Sequence, residues 1–417
     1  MKRIIIIGGG VIGLCTAWYC RQKGHQVVVL ERGSPQRDCC SLGNAGLIVP
    51  SHIIPLAAPG MVSMGFKMMW DPESPFYIKP RLDADLFEWG HQFIRACTPE
   101  HVKRSAPLLR DLNFASKRLF EEFAALPGMD FGLVKKGCLN LCKTEDRLHE
   151  EGELAAHSRQ LGMPAEVLTA EETRRLDPGV DMDILGSVYF PEDAHLSPNR
   201  FMAQLTDLLV KAGVEIRCES AVTGWSRQGD RILAARTTNG DVAGDEFVLA
   251  GGSWSPGLAK ELGLQLPMQA GKGYSLTVEK PKQLPQLSYI FTEARLAVTP
   301  MCGALRFGGT MEIAGLNLDI NPARVRGIAK SARRYFPAFP PETFNGVQPW
   351  AGLRPVSPDG LPYLGRTRRV GNLSIGTGHA MMGLSLGPIT GKLLAETLTD
   401  ERPSIDLSLL APDRYAS

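Results

Sequence analysis

No uncharged apolar run in this 417-residue chain approaches the roughly 20 residues that cross a bilayer, so no transmembrane span is expected. Charge of one sign is also missing. The chain has 46 basic and 44 acidic side chains, net +2, and no basic stretch, which leaves no electrostatic case for nucleic acid as a main partner. Nine cysteines occur, an odd number, with Cys39 and Cys40 adjacent and no C-x-x-C pair. That argues against a disulfide framework and against zinc; Cys138 and Cys142 read as strand packing. Nothing repeats at a fixed period. No cleavage region follows Met1-Lys2-Arg3 and Ile4–Ile7, so this start is not read as a signal peptide. A cytoplasmic location is expected, with peripheral contact on the inner face of the membrane left open. With 44% hydrophobic and 22% charged residues the composition is ordinary globular, and the length exceeds one ordinary core.

The first thirty-odd residues organise what is present. Ile4–Ile7 is a short β-branched run suited to a strand buried on both faces. Gly8-x-Gly10-x-x-Gly13 follows, then a small-residue helical pattern over Leu14–Lys23, a second apolar run Val27–Leu30, and Glu31. In strand–glycine–helix–strand context, Gly8 allows a tight turn, Gly10 lets backbone approach a pyrophosphate, and Gly13 lets helix and strand pack closely. The helix N-terminus offers free N–H groups to phosphate. Glu31 ends the next strand roughly 20 residues on, where an acid bonds a ribose hydroxyl. Dinucleotide binding is the reading, and an acid here disfavours a 2′-phosphate. The alternative is a tight turn in an ordinary α/β domain.

Further along, Cys39–Gly46 is a second small-residue segment. Pro50–Pro80 is rich in Pro, Gly and Met, with little periodicity; Met61, Met64, Met68, Met69 and Trp70 would line a binding site or pack as core. Helices are expected at Asp83–Cys97, Ala106–Leu126 and Arg147–Leu161, and strands around Gly137 and at Phe247–Ala250, which stops at Gly251-Gly252. Trp350–Pro355 reads as loop. Asn372–Ile375 reads as a strand whose glycine-rich turn, Gly376–Gly383, opens a last helix over Leu384–Leu398, and Pro403 onward as a short tail.

Taken together, Gly8-x-Gly10-x-x-Gly13 with Glu31, Ser41-x-x-Asn44-Ala45-Gly46, Lys272-Gly273-Tyr274-Ser275, Trp350-x-Gly352-Leu353-Arg354-Pro355 with Pro358-Asp359-Gly360, and Gly378-His379 through Gly383 resemble the FAD-dependent D-amino-acid oxidase superfamily. The branch is that of bacterial D-amino-acid dehydrogenases and glycine oxidases, and the resemblance spans the chain. It implies an α/β (α+β) fold: a discontinuous Rossmann-like FAD-binding domain (1–50, 190–265 and 350–417) with an inserted antiparallel-sheet substrate domain (51–189 and 266–349).

The resemblance also implies roles. Noncovalent FAD would lie against Gly8, Gly10, Val11, Ile12 and Gly13, with Glu31 and Arg32 at the ribose side. Ser41, Asn44, Ala45, Gly46 and Leu47 would approach the ring system, and Val222, Gly251 and Trp254 would complete the dinucleotide side. Gly378, His379, Met382, Gly383 and Leu384 would address the pyrimidine end. Arg354 falls where such enzymes hold the substrate carboxylate, which a planar guanidinium grips in a bidentate way. The family's assisting tyrosine falls at Ala297, so Tyr274 is the substitute candidate, and His52 and His379 are candidate polar contacts to substrate. A second arginine is replaced by Met381. The implied reaction is oxidation of a D-amino acid to a 2-oxo acid without an assigned base, with electrons passed to a quinone or carrier protein. The alternative substrate is a cyclic or N-substituted amino acid: D-proline, hydroxy-D-proline, glycine or sarcosine.

Overall fold

A computed structural model describes residues 1–417 except Trp70, Pro72 and Ser417. The isoleucine run forms the strand Arg3–Ile7, buried along its apolar length. It lies between two parallel partners, Gln26–Leu30 and Glu246–Leu249. The complete sheet has six strands, in the order Tyr363–Arg366, Leu373–Thr377, Glu246–Leu249, Arg3–Ile7, Gln26–Leu30 and Glu215–Arg217. Alternation within the run explains its two-sided burial. Ile4 and Ile6 join the core under the helices Val11–Gln22 and Gly387–Leu398. Ile5 and Ile7 join the opposite core, with Trp225, Ile232 and Val242 of a three-stranded antiparallel sheet.

A larger sheet has nine strands. Eight run in the order Trp350–Val356, Gln269–Glu279, Ala304–Ile313, Leu296–Met301, Ser288–Phe291, Cys138–Cys142, Gly186–Phe190 and Glu166–Thr169; Phe76–Ile78 pairs beside Ala304–Ile313. Cross-strand register gives one continuous row of residues on one face: Trp350, Ser275, Gly308, Ala297, Ile290, Asn140 and Val188. Their neighbours Tyr274, Leu296, Phe291 and Leu141 face the other way and form a core against the helix Pro322–Tyr335. On the first face Trp350, Gly308, Ala297, Ile290 and Asn140 border an open cleft, while Val188 packs against Ala155 of the helix Glu145–Gln160.

Several local expectations are corrected. Trp350–Val356 is a strand, not a loop, and it belongs to the larger sheet although the expected domain division placed it with the nucleotide-binding part. Its position at the sheet edge tolerates Pro355, which cannot donate to a ladder. The helix expected from Ala106 begins at Pro99, where the Thr98 hydroxyl accepts from His101 N–H, and it carries Pro107 in its third turn. The Pro50–Pro80 stretch contains a helix, Met61–Met68; none of its residues is buried. The last helix begins at Gly387, after one 3₁₀ turn at Ala380–Met382, so the Gly376–Gly383 turn does not open it directly. Beyond Pro403 the chain is docked, with Leu410 fully buried. Trp70 lies outside the described residues.

Candidate active site

At the first glycine turn, two of the three motif glycines are demanded by the chain itself. Gly8 has φ +112°, and a Cβ there would sit 2.4 Å from the Ala250 carbonyl oxygen. A Cβ on Gly13 would sit 1.9 Å from the Gly8 oxygen. Gly10 is different: its Cβ would meet only the Ser41 hydroxyl, at 3.4 Å. Internal packing does not require glycine there, so what Gly10 keeps clear is the space in front of the helix. That helix has no acidic residue in its first turn. The Ser41 hydroxyl accepts from Val11 N–H at 3.0 Å, tying the Cys39–Gly46 segment to the helix start. Glu31 accepts from Gly9 N–H (2.8 Å) and Gly33 N–H (2.7 Å), with Arg37 Nε 3.5 Å away. Arg32 lies 3.4 Å over the Trp254 ring.

From this turn a cleft of about 1820 Å³ runs to the open face of the larger sheet. An ordinary small-molecule site is roughly 300–1,000 Å³, so this one has room for a dinucleotide and a second ligand. Gly8, Gly10, Val11, Ile12, Glu31, Arg32, Ser41, Asn44, Ala45, Leu47, Val222, Gly251, Trp254, His379, Met382, Gly383 and Leu384 all border it. Gly13, Gly46 and Gly378 do not. Gly46 (φ +77°) is packed against the Leu196 oxygen, where a Cβ would sit at 2.3 Å, and Gly378 (φ +81°) against the Tyr363 ring, at 2.9 Å.

Trp350 and Arg354 extend from the edge strand into this space. Trp350 is wedged between two glycines: a Cβ on Gly43 or Gly352 would fall 2.2 or 2.0 Å from its ring atoms. Arg354 lies flat on Gly273, whose Cβ would fall 2.2 Å from the guanidinium carbon. The guanidinium donates to the Thr310 oxygen at 2.5 Å and more weakly to the Gly309 oxygen at 3.5 Å. No carboxylate lies within ion-pair distance of it among the described residues. Burial lowers its pKa, and neighbouring Cys40 works the other way. A desolvated cation without a counter-ion is costly, and an anionic ligand would remove that cost.

Tyr274, expected beside the substrate, borders the cleft, but its ring and hydroxyl are directed to the other side of the sheet. It follows Gly273 in the strand, so its side chain projects from the opposite face, where its hydroxyl donates to Glu312 at 2.5 Å. Ala297 and Gly308 lie side by side on the cleft face and leave its floor low. His52 and His379 both border the cleft. Burial pushes their pKa values down to about 4 and about 3, so both are neutral at pH 7. His379 Nε2 meets the Thr390 hydroxyl at 2.9 Å, while Nδ1 of each histidine has no partner among the described residues. Met381 is half exposed. Sequence reasoning missed the Gly43–Trp350–Gly352 wedge; the W-x-G spacing was its only trace.

A family profile described as FAD dependent oxidoreductase matches residues 3–397. The chain belongs to this family. Among curated members of the FAD dependent oxidoreductase family, it is 32% identical to a D-amino acid dehydrogenase of Granulibacter bethesdensis, covering 99% of this chain and 100% of that one. It is 31% identical to a D-amino acid dehydrogenase of Agrobacterium fabrum, again over 99% and 100%. Among solved structures, glycine oxidase from Geobacillus kaustophilus superposes with a TM-score of 0.79 at 23% identity, covering both chains fully. L-proline dehydrogenase from P. horikoshii superposes at 0.74 with 16% identity, over 99% of this chain and 97% of that one. These two likenesses establish the fold of this FAD dependent oxidoreductase. Its cleft fits the cofactor: the space kept by Gly10, the acid-free helix start and the size of the cavity all suit a bound dinucleotide.

Proposed function

We propose that this FAD-dependent oxidoreductase oxidises D-amino acids to 2-oxo acids and passes the electrons to a quinone or other acceptor. The observation that carries the reading is Arg354, a desolvated cation with no carboxylate partner among the described residues, at the floor of a cofactor-sized cleft. The full-length relatives named D-amino acid dehydrogenase support it. We assign the pyrophosphate to Gly8, Gly10 and Gly13 with Val11 and Ile12, and the ribose to Glu31. Ser41–Leu47 and His379–Leu384 are assigned to the ring system, and Val222, Gly251 and Trp254 to the adenosine side.

Bound FAD would supply the two-electron oxidant for the Cα–H bond; with loss of a proton from nitrogen the amine becomes an imine, which water hydrolyses to the 2-oxo acid and ammonia. The chain supplies position and electrostatics. Arg354 fixes the carboxylate, one of the contacts that together set the face of Cα presented. Gly273 holds the arginine flat, and the Thr310 and Gly309 carbonyls aim it. His52 and His379 offer neutral ring nitrogens, so they add hydrogen bonds without charge. A cyclic or N-substituted amino acid is the second reading, favoured by the low floor at Ala297 and Gly308. Exposed Phe66 on the Met61–Met68 helix, with Leu82, Phe87 and Ile94 nearby in sequence, would suit contact with an apolar acceptor or the membrane that carries it.

Anaerobic mixing of the flavin-loaded protein with D-amino acids, D-proline analogues, glycine and sarcosine tests the reading. Rapid bleaching by D-amino acids and fast reoxidation by quinone are expected. Bleaching by none of the panel overturns the assignment, and rapid stoichiometric peroxide formation in air replaces dehydrogenase with oxidase.

A further inference from the structure

Arg295 ends the hairpin between Ser288–Phe291 and Leu296–Met301, in a left-handed conformation (φ 48°) that non-glycine residues seldom adopt. Its side chain borders the same cleft as Arg354. Both strands involved meet at Gly309: Arg354 Nη2 lies 3.5 Å from the Gly309 oxygen, and Leu296, which follows Arg295, pairs with Gly309 in the sheet.

Four charged side chains meet at this end of the cleft, and three are already satisfied among themselves. Glu151 accepts from Asn140 Nδ2 at 2.8 Å and pairs with Arg147 at 3.1 Å. Glu150 also pairs with Arg147. Arg295 pairs with no carboxylate among the described residues; its side-chain hydrogen bond goes to the Met64 sulfur, a weak acceptor. Burial first, and then neighbouring Arg147, lowers the Arg295 pKa, while Glu151 and Glu150 raise it. A guanidinium left this way beside an open cavity is a binding group for an anion.

We propose that Arg295 binds a second acidic group of the substrate, so that D-amino acids with a carboxylate side chain are preferred over their neutral isosteres. This rests on the D-amino-acid reading above. Arg354 takes the α-carboxylate and Arg295 the distal one. The intervening floor, at Ala297 and Gly308, is small enough to let the linking carbons pass.

The test compares the flavin-loaded enzyme on D-glutamate against D-glutamine and on D-aspartate against D-asparagine, with D-alanine as reference. One charge-assisted contact corresponds to about 10- to 100-fold, so a kcat/KM preference of that order for one acid of each length pair is expected. Arg295→Gln should collapse the acid-to-amide ratio toward one, and Arg295→Lys should restore part of it. Calorimetry gives a readout that needs no turnover: wild type should bind glutarate more tightly than butyrate, and Arg295→Gln should lose that difference. Equal kcat/KM for acids and amides in the wild type, or an acid-to-amide ratio untouched by Arg295→Gln, overturns the proposal. If no D-amino acid bleaches the flavin, the functional reading fails, while the glutarate titration still decides Arg295.

Discussion

Among single residues, Gly273 and Arg354 pack as one unit, the guanidinium lying where a Cβ on the glycine would be. Arg354→Met should lower kcat/KM by on the order of 10²–10³, because removing one partner of a buried ion pair costs about 3–5 kcal/mol. FAD content should stay near normal, which an absorbance spectrum checks. Gly273→Val should reproduce that loss without touching the arginine, since its Cβ would fall 2.2 Å from the guanidinium carbon. A Gly273→Val enzyme with wild-type kcat/KM would separate the two residues. The glycine turn makes a second contrast. Gly10→Val should abolish flavin binding yet leave the melting temperature of the flavin-free protein close to wild type, because only Ser41 Oγ lies near. Gly13→Val should lose the fold itself, its Cβ overlapping the Gly8 oxygen. Motif spacing pointed to Gly8, Gly10 and Gly13, and the family resemblance to Arg354. Spacing could not tell Gly10 from its neighbours, because the distinction is what each Cβ would strike. Nor could it place Tyr274, because adjacent strand residues face opposite ways and only the register says which face is open.

Among the elements, the parallel strands were legible and the edges were not. Ile4–Ile7 and Val27–Leu30 are β-branched runs with no competing reading. Trp350–Val356 contains Gly and Pro, and becomes a strand because Gln269–Glu279 is there to pair with it. The C-terminal segment was also misjudged, since its anchor is an ion pair distant in sequence. Arg414 Nε donates to Asp359 Oδ2 at 2.7 Å and Nη2 to Oδ1 at 3.0 Å. Burial raises the Asp359 pKa, but Arg414 and the hydrogen bonds outweigh it and hold the carboxyl below its usual range. A depressed carboxylate stabilises fully above its unfolded pKa, about 3.9, and the contribution is lost as pH falls through the lower folded value. Asp359→Asn should therefore lower the urea midpoint at pH 7, and the gap to wild type should close below about pH 4. A gap constant with pH would mean that the carboxylate charge is not what anchors the tail.

For the whole molecule, two domains' worth of chain enclose several titratable groups deeply enough to set the acid limit of stability. His52, His195 and His379 are buried neutral, with pKa values down to about 4, about 4 and about 3. Below their unfolded value of about 6.5 the unfolded chain takes up protons that the folded one refuses, so stability falls with acid. Asp193 opposes this. Burial raises its pKa to about 7 against the Ser51 hydrogen bonds that lower it, so the folded protein holds a proton there that the unfolded chain releases. Three groups against one predict a net uptake of about two protons on unfolding near pH 5. Urea midpoints measured from pH 4 to 6.5 should rise, and more steeply in Asp193→Asn. A flat profile would require the histidines to be reached by water.

Trp350 offers an optical consequence. Its indole is clamped between Gly43, in the segment tied to the first helix, and Gly352, in the edge strand of the larger sheet. It also borders the cleft, with Nε1 buried and without a hydrogen-bond partner among the described residues. The ring therefore reports on both sheets at once. Its emission should be quenched by energy transfer when the yellow chromophore is loaded, and should shift in wavelength whenever the seam opens. Comparison with Trp350→Phe isolates that signal from the other five tryptophans.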